Sequence, residues 1–405
     1  MHFRRLALGL ALVAPIAPSA GCQEDTKQRV LLISLDGFRW DYRDRFETPT
    51  LDALASEGTS AEKLQPVFPT KTFPNHFTLV TGLVPDHHGV VSNTMKEGSD
   101  IFTMSNRAAV VNPNWWQAEP IWTTLEKRGR RTAPLLWPGS EAPIGGVMPA
   151  HWIQYKQDLT DAERIQLVAD LYSKPEAAWP DFATMYWHEI DTVGHAVGPD
   201  GNAMPATVER VDGALGRLRE RLESLGADKS LNIIVVSDHG MSQLSPDRVI
   251  YLEDYIDLGA VETIDSSPNI GFYPKALTVD QIYERLAGRH PHLQVYRKAD
   301  IPERLNFGTH PRVPPIYAMA DDGWSIIARR PRPGQAPRRF GGTHGYDNDL
   351  DSMQGLFVAA GPALKAGVKI DRFRAVDLYE LMCRILDVTP RKNDGNPKAA
   401  LALLR

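Results

Sequence analysis

Cysteine is nearly absent from the 405 residues: there are two, Cys22 and Cys383. That excludes a disulfide scaffold. Cys383 lies among Leu381, Met382, Ile385 and Leu386 and reads as a small apolar core residue. No apolar run is long enough to cross a bilayer; the best, Leu6 to Ile16, is too short. No sign of charge dominates either. A formal net charge of −5 gives no reason to expect nucleic-acid wrapping or an electrostatic hold on a membrane. Internal repeats and long low-complexity tracts are also missing.

What is present begins with an export signal. Arg4 and Arg5 precede the apolar run, and Ala17, Ser19, Ala20 and Gly21 follow it. A charged start, an apolar centre and a small-residue exit mark residues 1–21 as a secretory signal. Ser19-Ala20-Gly21-Cys22 also resembles a bacterial lipobox, with Ser19 where leucine is usual. The expectation is an exported protein, either periplasmic or lipid-anchored to the cell envelope through Cys22.

The rest, residues 22–405, is enough for one large α/β domain. Arg29–Leu35 and Leu231–Ser237 are apolar, β-branched runs without alternation, as in strands buried on both faces. Asp181–Trp187, Thr132–Trp137, Trp324–Ala328 and Gly355–Ala360 are further candidates. Helical spacing is clearest over Thr207–Leu225, with Val208, Val211, Leu215, Leu218, Leu222 and Leu225 on one face and Gly226 as a stop. Strands alternating with helices imply an α/β fold, with a mostly parallel central sheet between helix layers. From 243 to 340 the pattern loosens, and the segment reads as a smaller inserted lobe. It contains the basic, proline-rich stretch Arg329–Arg339, read as a solvated loop.

Asp36, Asp191 and Asp238 each fall at or just after a strand end, where open α/β sheets bind ligands. Converging carboxylates repel unless cations hold them. His239 follows Asp238, His195 follows Asp191 by four, and His344 stands in the glycine-flanked Gly341–Asp347 stretch. Carboxylate plus imidazole suits zinc, and the ligand number exceeds one catalytic site. Two metals side by side are the standard clamp for phosphoryl transfer. Thr72 supplies a hydroxyl at the start of a helix running from Pro74 to a stop at Gly82. There, free N–H groups favour an anion. Taken singly, each piece has a plain reading: Thr72 a cap or core turn, Asp-His-Gly a turn, Asp191 and His195 a helix ion pair. Their joint occurrence is much harder to explain that way.

These residues carry a resemblance. Leu35-Asp36-Gly37-Phe38-Arg39, Phe68–His76, Asp191-Thr192-Val193-Gly194-His195, Ser237-Asp238-His239-Gly240-Met241 and Gly342–Asn348 resemble the motifs of the nucleotide pyrophosphatase/phosphodiesterase family, in that family's order. The family is a branch of the alkaline phosphatase superfamily, so the resemblance implies that fold. It implies two Zn2+, one held by Asp191, His195 and His344, the other by Asp36, Asp238, His239 and Thr72. Thr72 would be the nucleophile, and a phosphothreonyl intermediate would release a 5′-nucleotide. Asn93 and the backbone N–H of Phe73 would hold a nonbridging phosphate oxygen. The Phe73 ring, with Tyr155 as candidate partner, would sandwich the nucleobase. The substrates would be small nucleotide diesters, with no specific nucleic-acid binding. Glu189-Ile190-Asp191 replaces the usual Glu-Pro-Asp but keeps the aspartate, and the disulfide-rich and nuclease-like domains of animal members are missing.

The rival readings are weaker. A sulfatase needs cysteine or serine where Thr72 stands. A phosphomonoesterase needs a lysine and arginine two apart, which Trp152–Gln157 lacks. A phospholipid or choline phosphodiesterase could share this core. A non-catalytic zinc-binding lipoprotein leaves Thr72 and Asn93 without a role. If Cys22 is lipidated, the mature protein will partition with membranes and Cys22→Ser will release it. Recovery of an unmodified mature chain starting at another residue would exclude the anchor.

Overall fold

The computed structural model describes residues 27–332 and 340–405. The expected signal, Cys22 and residues 333–339 of the basic loop lie outside the described residues. Seven strands form the central sheet. In chain order they are β1 (Arg29–Leu35), β2 (Thr59–Gln65), β3 (Thr132–Pro134), β4 (Phe182–Trp187), β5 (Leu231–Val236), β6 (Gly355–Ala360) and β7 (Val368–Arg374). In space the order is β7-β2-β6-β5-β1-β4-β3. Every pairing is parallel except those of β6, which runs against both β5 and β2.

β1 shows why its apolar run lacks alternation. Val30 and Leu32 join the core on one face of the sheet, and Leu31, Ile33 and Leu35 join the core on the other. The first core is roofed by α1 (Thr72–Thr81), which contributes Phe77, Leu79 and Val80. The second is covered by α3 (Met204–Ser224), through Val208, Val211, Leu215, Leu218 and Leu222. Cys383 is fully buried in the first core. No helix among the described residues is long and apolar enough to cross a membrane.

Two strand expectations need correction, and two strands were not expected. The strand expected over Thr132–Trp137 ends at Pro134, because proline offers no N–H to the ladder and Leu136 turns the chain at φ 58°. Trp324–Ala328 yields Ser325–Ile327, which pairs with Val249–Tyr251 outside the central sheet. β2 and β7 gave no sequence signal: β7 is an edge strand with charged residues at its exposed positions, and β2 opens with the polar Thr59 and Ser60 and carries Glu62 and Lys63. Separately, Val261–Ile264, Asn269–Pro274, Ile316–Ala320 and Leu293–Arg297 form a four-stranded antiparallel sheet around Phe272, Ile282 and Leu286.

The register of the central sheet matters most for the site. Leu35 pairs with Trp187, and Ser34 with Val236, so β1, β4 and β5 end at one level. Behind that edge, α3 carries one polar residue that works for the fold. Asp212, buried within the apolar face, accepts from Thr50 N at 3.0 Å and Leu51 N at 2.9 Å and so caps the helix Pro49–Glu57. Asp212→Ala is expected to lower stability by about 1–2 kcal/mol. Urea unfolding measures this; an unchanged midpoint would mean the cap contributes nothing.

Candidate active site

Asp36 directly follows β1, and Asp238-His239 closely follows β5. Asp191 and His195 lie one turn apart on α2 (Glu189–Val197), the helix that follows β4. Gly37 makes the approach possible. Its φ is 68°, and a Cβ there would sit 2.9 Å from the Asp191 Cα. His344 arrives from the glycine-flanked loop, and Thr72 is the first residue of α1, with Lys71 rather than Thr72 in the capping position. Thr72 is therefore not a helix cap, and its Oγ1 lies 3.4 Å from His239 Nε2.

The distances describe a cluster. His239 Nε2 is 3.0 Å from Asp238 Oδ2 and 3.4 Å from Asp36 Oδ1. Asp191 Oδ1 is 3.4 Å from His195 Nε2 and 3.6 Å from His344 Nε2. The His239 and His344 rings stack at 3.5 Å. Two sets have donor atoms mutually within 4.8 Å: Asp191, His239 and His344, and Asp36, Asp238 and His239. His239 thus belongs to both, and His195 stands at the open rim beside Asp191.

Two observations show that this set fits metal. First, each histidine spends its Nδ1 on a backbone carbonyl: His195 on Gly342 at 2.9 Å, His239 on Gly240 at 2.9 Å, His344 on Thr70 at 2.8 Å. A carbonyl only accepts, so Nδ1 carries the proton and the Nε2 lone pair faces the cluster, as in metal-ligating histidines. Second, Asp36 Oδ1, Asp191 Oδ1 and Asp238 Oδ2 are buried without a hydrogen-bond donor. Buried carboxylate oxygens without protein donors suit coordination of a cation.

The electrostatics agree. Burial, with Asp238 and Asp191 close by, pushes the Asp36 carboxyl well above the usual range. Burial also raises Asp191. It acts the same way on Asp238, but His239 and His76 outweigh it and hold that carboxyl well below its ordinary value. Burial disfavours the charged form of His239, yet the adjacent Asp238 raises it. Burial and the neighbouring His239 and His195 push His344 well down, which keeps it neutral.

Beside the cluster opens a cavity of about 480 Å³ whose lining includes Asp36, Thr72, Phe73, Tyr155, Tyr186 and Asp191. Phe73 is half-buried and packs against Phe102 and Trp116, while Tyr155 is 39% exposed, 6.0 Å from the Tyr186 ring. Asn93 is not in the lining. Its Oδ1 accepts from Phe73 N at 2.9 Å, so that N–H orients Asn93, and the amide Nδ2 is the donor left to offer.

Sequence reasoning gave no role to two residues here. Tyr186, inside β4, donates its hydroxyl to Asp36 Oδ2. His76, one turn beyond Thr72, meets the Thr72 carbonyl at 2.8 Å and Asp238 Oδ2 at 3.4 Å through Nδ1. The i,i+4 spacing from Thr72 was the available signal for His76; Tyr186 had none, being one aromatic in a buried strand.

A profile of type I phosphodiesterase/nucleotide pyrophosphatase matches residues 30–347. The chain belongs to that family. It is a hydrolase of the nucleotide pyrophosphatase/phosphodiesterase class, and the family resemblance and α/β fold read from the sequence hold. Human ectonucleotide pyrophosphatase/phosphodiesterase family member 5 is 35% identical over 372 residues, covering 91% of this chain and 76% of that protein. Human bis(5′-adenosyl)-triphosphatase ENPP4 is 38% identical, covering 91% and 80%. The structure of murine family member 5, an inactive threonine-to-alanine form (T72A) in complex with AMP, superposes with a TM-score of 0.89 at 35% identity. It covers 94% of this chain and all of that one.

Proposed function

We propose that this family member is an exported two-zinc phosphodiesterase that attacks nucleotide diester and pyrophosphate bonds with Thr72 and releases 5′-nucleotides. The observation that carries the reading is the place of Thr72. Its hydroxyl stands between the carboxylate–imidazole cluster and the aromatic-walled cavity. Asp191, His195 and His344 would hold one zinc, and Asp36, Asp238 and His239 with Thr72 the other. Zinc bound there makes the Thr72 hydroxyl acidic and neutralises charge on the phosphate and leaving oxygens. The Thr72 oxygen forms a bond to phosphorus as the bond to the leaving group breaks, and the hydroxyl proton passes to solvent or the leaving group. Asn93 Nδ2 donates to a nonbridging oxygen, and Phe73 and Tyr155 receive the base. Water then cleaves the phosphothreonyl ester and restores Thr72. The AMP complex of the murine relative and the dinucleotide-triphosphate activity in the ENPP4 name support a small nucleotide substrate.

Thr72→Ala should keep fold and metal but lose turnover by roughly a thousandfold or more, with Thr72→Ser retaining part. Metal analysis should find about two zinc ions, with chelation abolishing activity and zinc restoring it. An alanine variant at wild-type rate, or active enzyme with one ion, would overturn the scheme.

Phe73→Ala and Tyr155→Ala should weaken nucleotide ester hydrolysis about ten- to a hundredfold, as expected for loss of one base-stacking contact. A base-free diester should suffer far less. Equal losses on both would mean that the rings only support the site.

A further inference from the structure

Lys71 immediately precedes Thr72 but takes no part in the scheme above. Its side chain is 5% exposed. Gly345, next to His344, leaves it room: a Cβ there would lie 3.1 Å from Lys71 Cε. The ammonium ends in the antiparallel sheet region, 2.6 Å from Asp265 Oδ2 and 3.3 Å from the Ser266 carbonyl. The Asp265 side chain is 6% exposed. The same carboxylate oxygen accepts from the Ser92 hydroxyl, and Ser92 immediately precedes Asn93. Asp265 Oδ1 is fixed separately by Ser266 N at 2.9 Å.

One buried oxygen therefore ties the loop that ends in the nucleophile to the loop that carries the phosphate-binding amide. The Phe73 N–H to Asn93 Oδ1 bond, 2.9 Å, joins the same two segments on the cavity side, and Asp265 ties them a second time through side chains. Asp265 reaches them from the turn between Val261–Ile264 and Asn269–Pro274. That turn holds Asp265 at φ 72°, the left-handed region that side chains other than Asn, Asp and Gly rarely adopt. The Lys71 backbone is gripped as well: its carbonyl accepts from Asn75 N at 3.1 Å and Asn75 Nδ2 at 3.0 Å. The residue before Thr72 is thus held by backbone and side chain together.

We propose that Asp265 is a positioning residue for the reaction at Thr72, setting the separation between the Thr72 hydroxyl and the Asn93 amide across the phosphorus. This rests on Thr72 being the nucleophile. An in-line attack needs both groups within a few tenths of an ångström of their places, and displacement by about 1 Å from a remote change can cost about a hundredfold in rate. The ion pair is buried on both sides, so removing one charge strands the other rather than deleting a surface contact. Asp265 is not in the lining of the base cavity and is in neither carboxylate–imidazole set, although it shares a separate cavity lining with His195, so its loss should fall on the chemical step and spare both base recognition and metal.

Asp265→Asn is the discriminating variant, because asparagine tolerates the same backbone conformation and removes only the charge. It is compared with wild type and Thr72→Ala on a nucleotide aryl ester and on bis(4-nitrophenyl) phosphate, with zinc content and melting temperature measured in parallel. A Thr72→Ala protein that turns over normally would refute the nucleophile itself and is read separately. With that control inactive, Asp265→Asn should lose about 10- to 100-fold in kcat on both esters. KM should stay within about threefold and zinc at the wild-type level. A folded Asp265→Asn protein with kcat within about twofold of wild type, whatever its melting temperature, overturns the proposal. So does a loss confined to the nucleotide ester, or one that follows zinc loss. If Asp265→Asn does not fold, Ser92→Ala decides. It keeps the ion pair and frees only the Asn93 loop, and should lower kcat about three- to tenfold on both esters; no change overturns the proposal.

Discussion

Carboxylate repulsion at one sheet edge is the constraint on which the rest of the site depends. Two unit charges about 4 Å apart repel by roughly 4 kcal/mol at the effective dielectric of protein sites, and burial adds to this. Asp36, Asp191 and Asp238 are brought together regardless, because β1, β4 and β5 end at one level. Three carboxylate oxygens at the centre of the cluster have no hydrogen-bond donor from the protein. Cations resolve the repulsion, and the imidazoles are arranged for them: each ring gives its proton to a backbone carbonyl and turns a lone pair inward.

From this centre the labour divides among separate parts of the chain. The central sheet concentrates negative charge. Helix α1 opens with a hydroxyl at the charge cluster and an aromatic ring in the cavity, one residue apart. His76 Nδ1 meets the Thr72 carbonyl at 2.8 Å and lies 3.4 Å from Asp238 Oδ2, so the first turn packs against the charged edge. The antiparallel sheet reaches the same place from the other side, through Asp265 and Lys71. The start of α1 is thus flanked by two elements far apart in sequence, the central-sheet edge and the antiparallel sheet, which suits Thr72 if it is the nucleophile proposed above.

Much of this was legible in the sequence, and the rest failed for identifiable reasons. β1 and β6 keep the bounds read from their apolar runs, since both are buried throughout. β7 was missed because charged side chains at the sheet edge erase the hydrophobic pattern, and β2, paired on both sides, because Thr59-Ser60-Ala61-Glu62-Lys63 has little apolar character. Asp36, Asp191, Asp238 and the three histidines were visible because strand ends and glycine turns are local signals. Tyr186 and Asp265 were not. Each acts through a partner about 150 or more positions away, and neither residue type is unusual where it stands.

The charge around the cavity bears on the kind of phosphate that suits it. A phosphate monoester carries two negative charges near neutral pH, a diester one, and extra cations are needed to hold the dianion. Among the residues lining the cavity there is one arginine, Arg107, and no lysine. Arg107 is already paired with Glu141, which also accepts from Tyr155 N at 3.1 Å. Its charge is spent on fixing the tyrosine wall rather than offered to phosphate. Under the proposed function, phosphate recognition would then fall to the bound metals and to neutral donors such as the Asn93 amide. That balance agrees with the proposed substrate class, in which the attacked phosphate carries one charge, and an aromatic wall rather than a second cation stands beside Thr72.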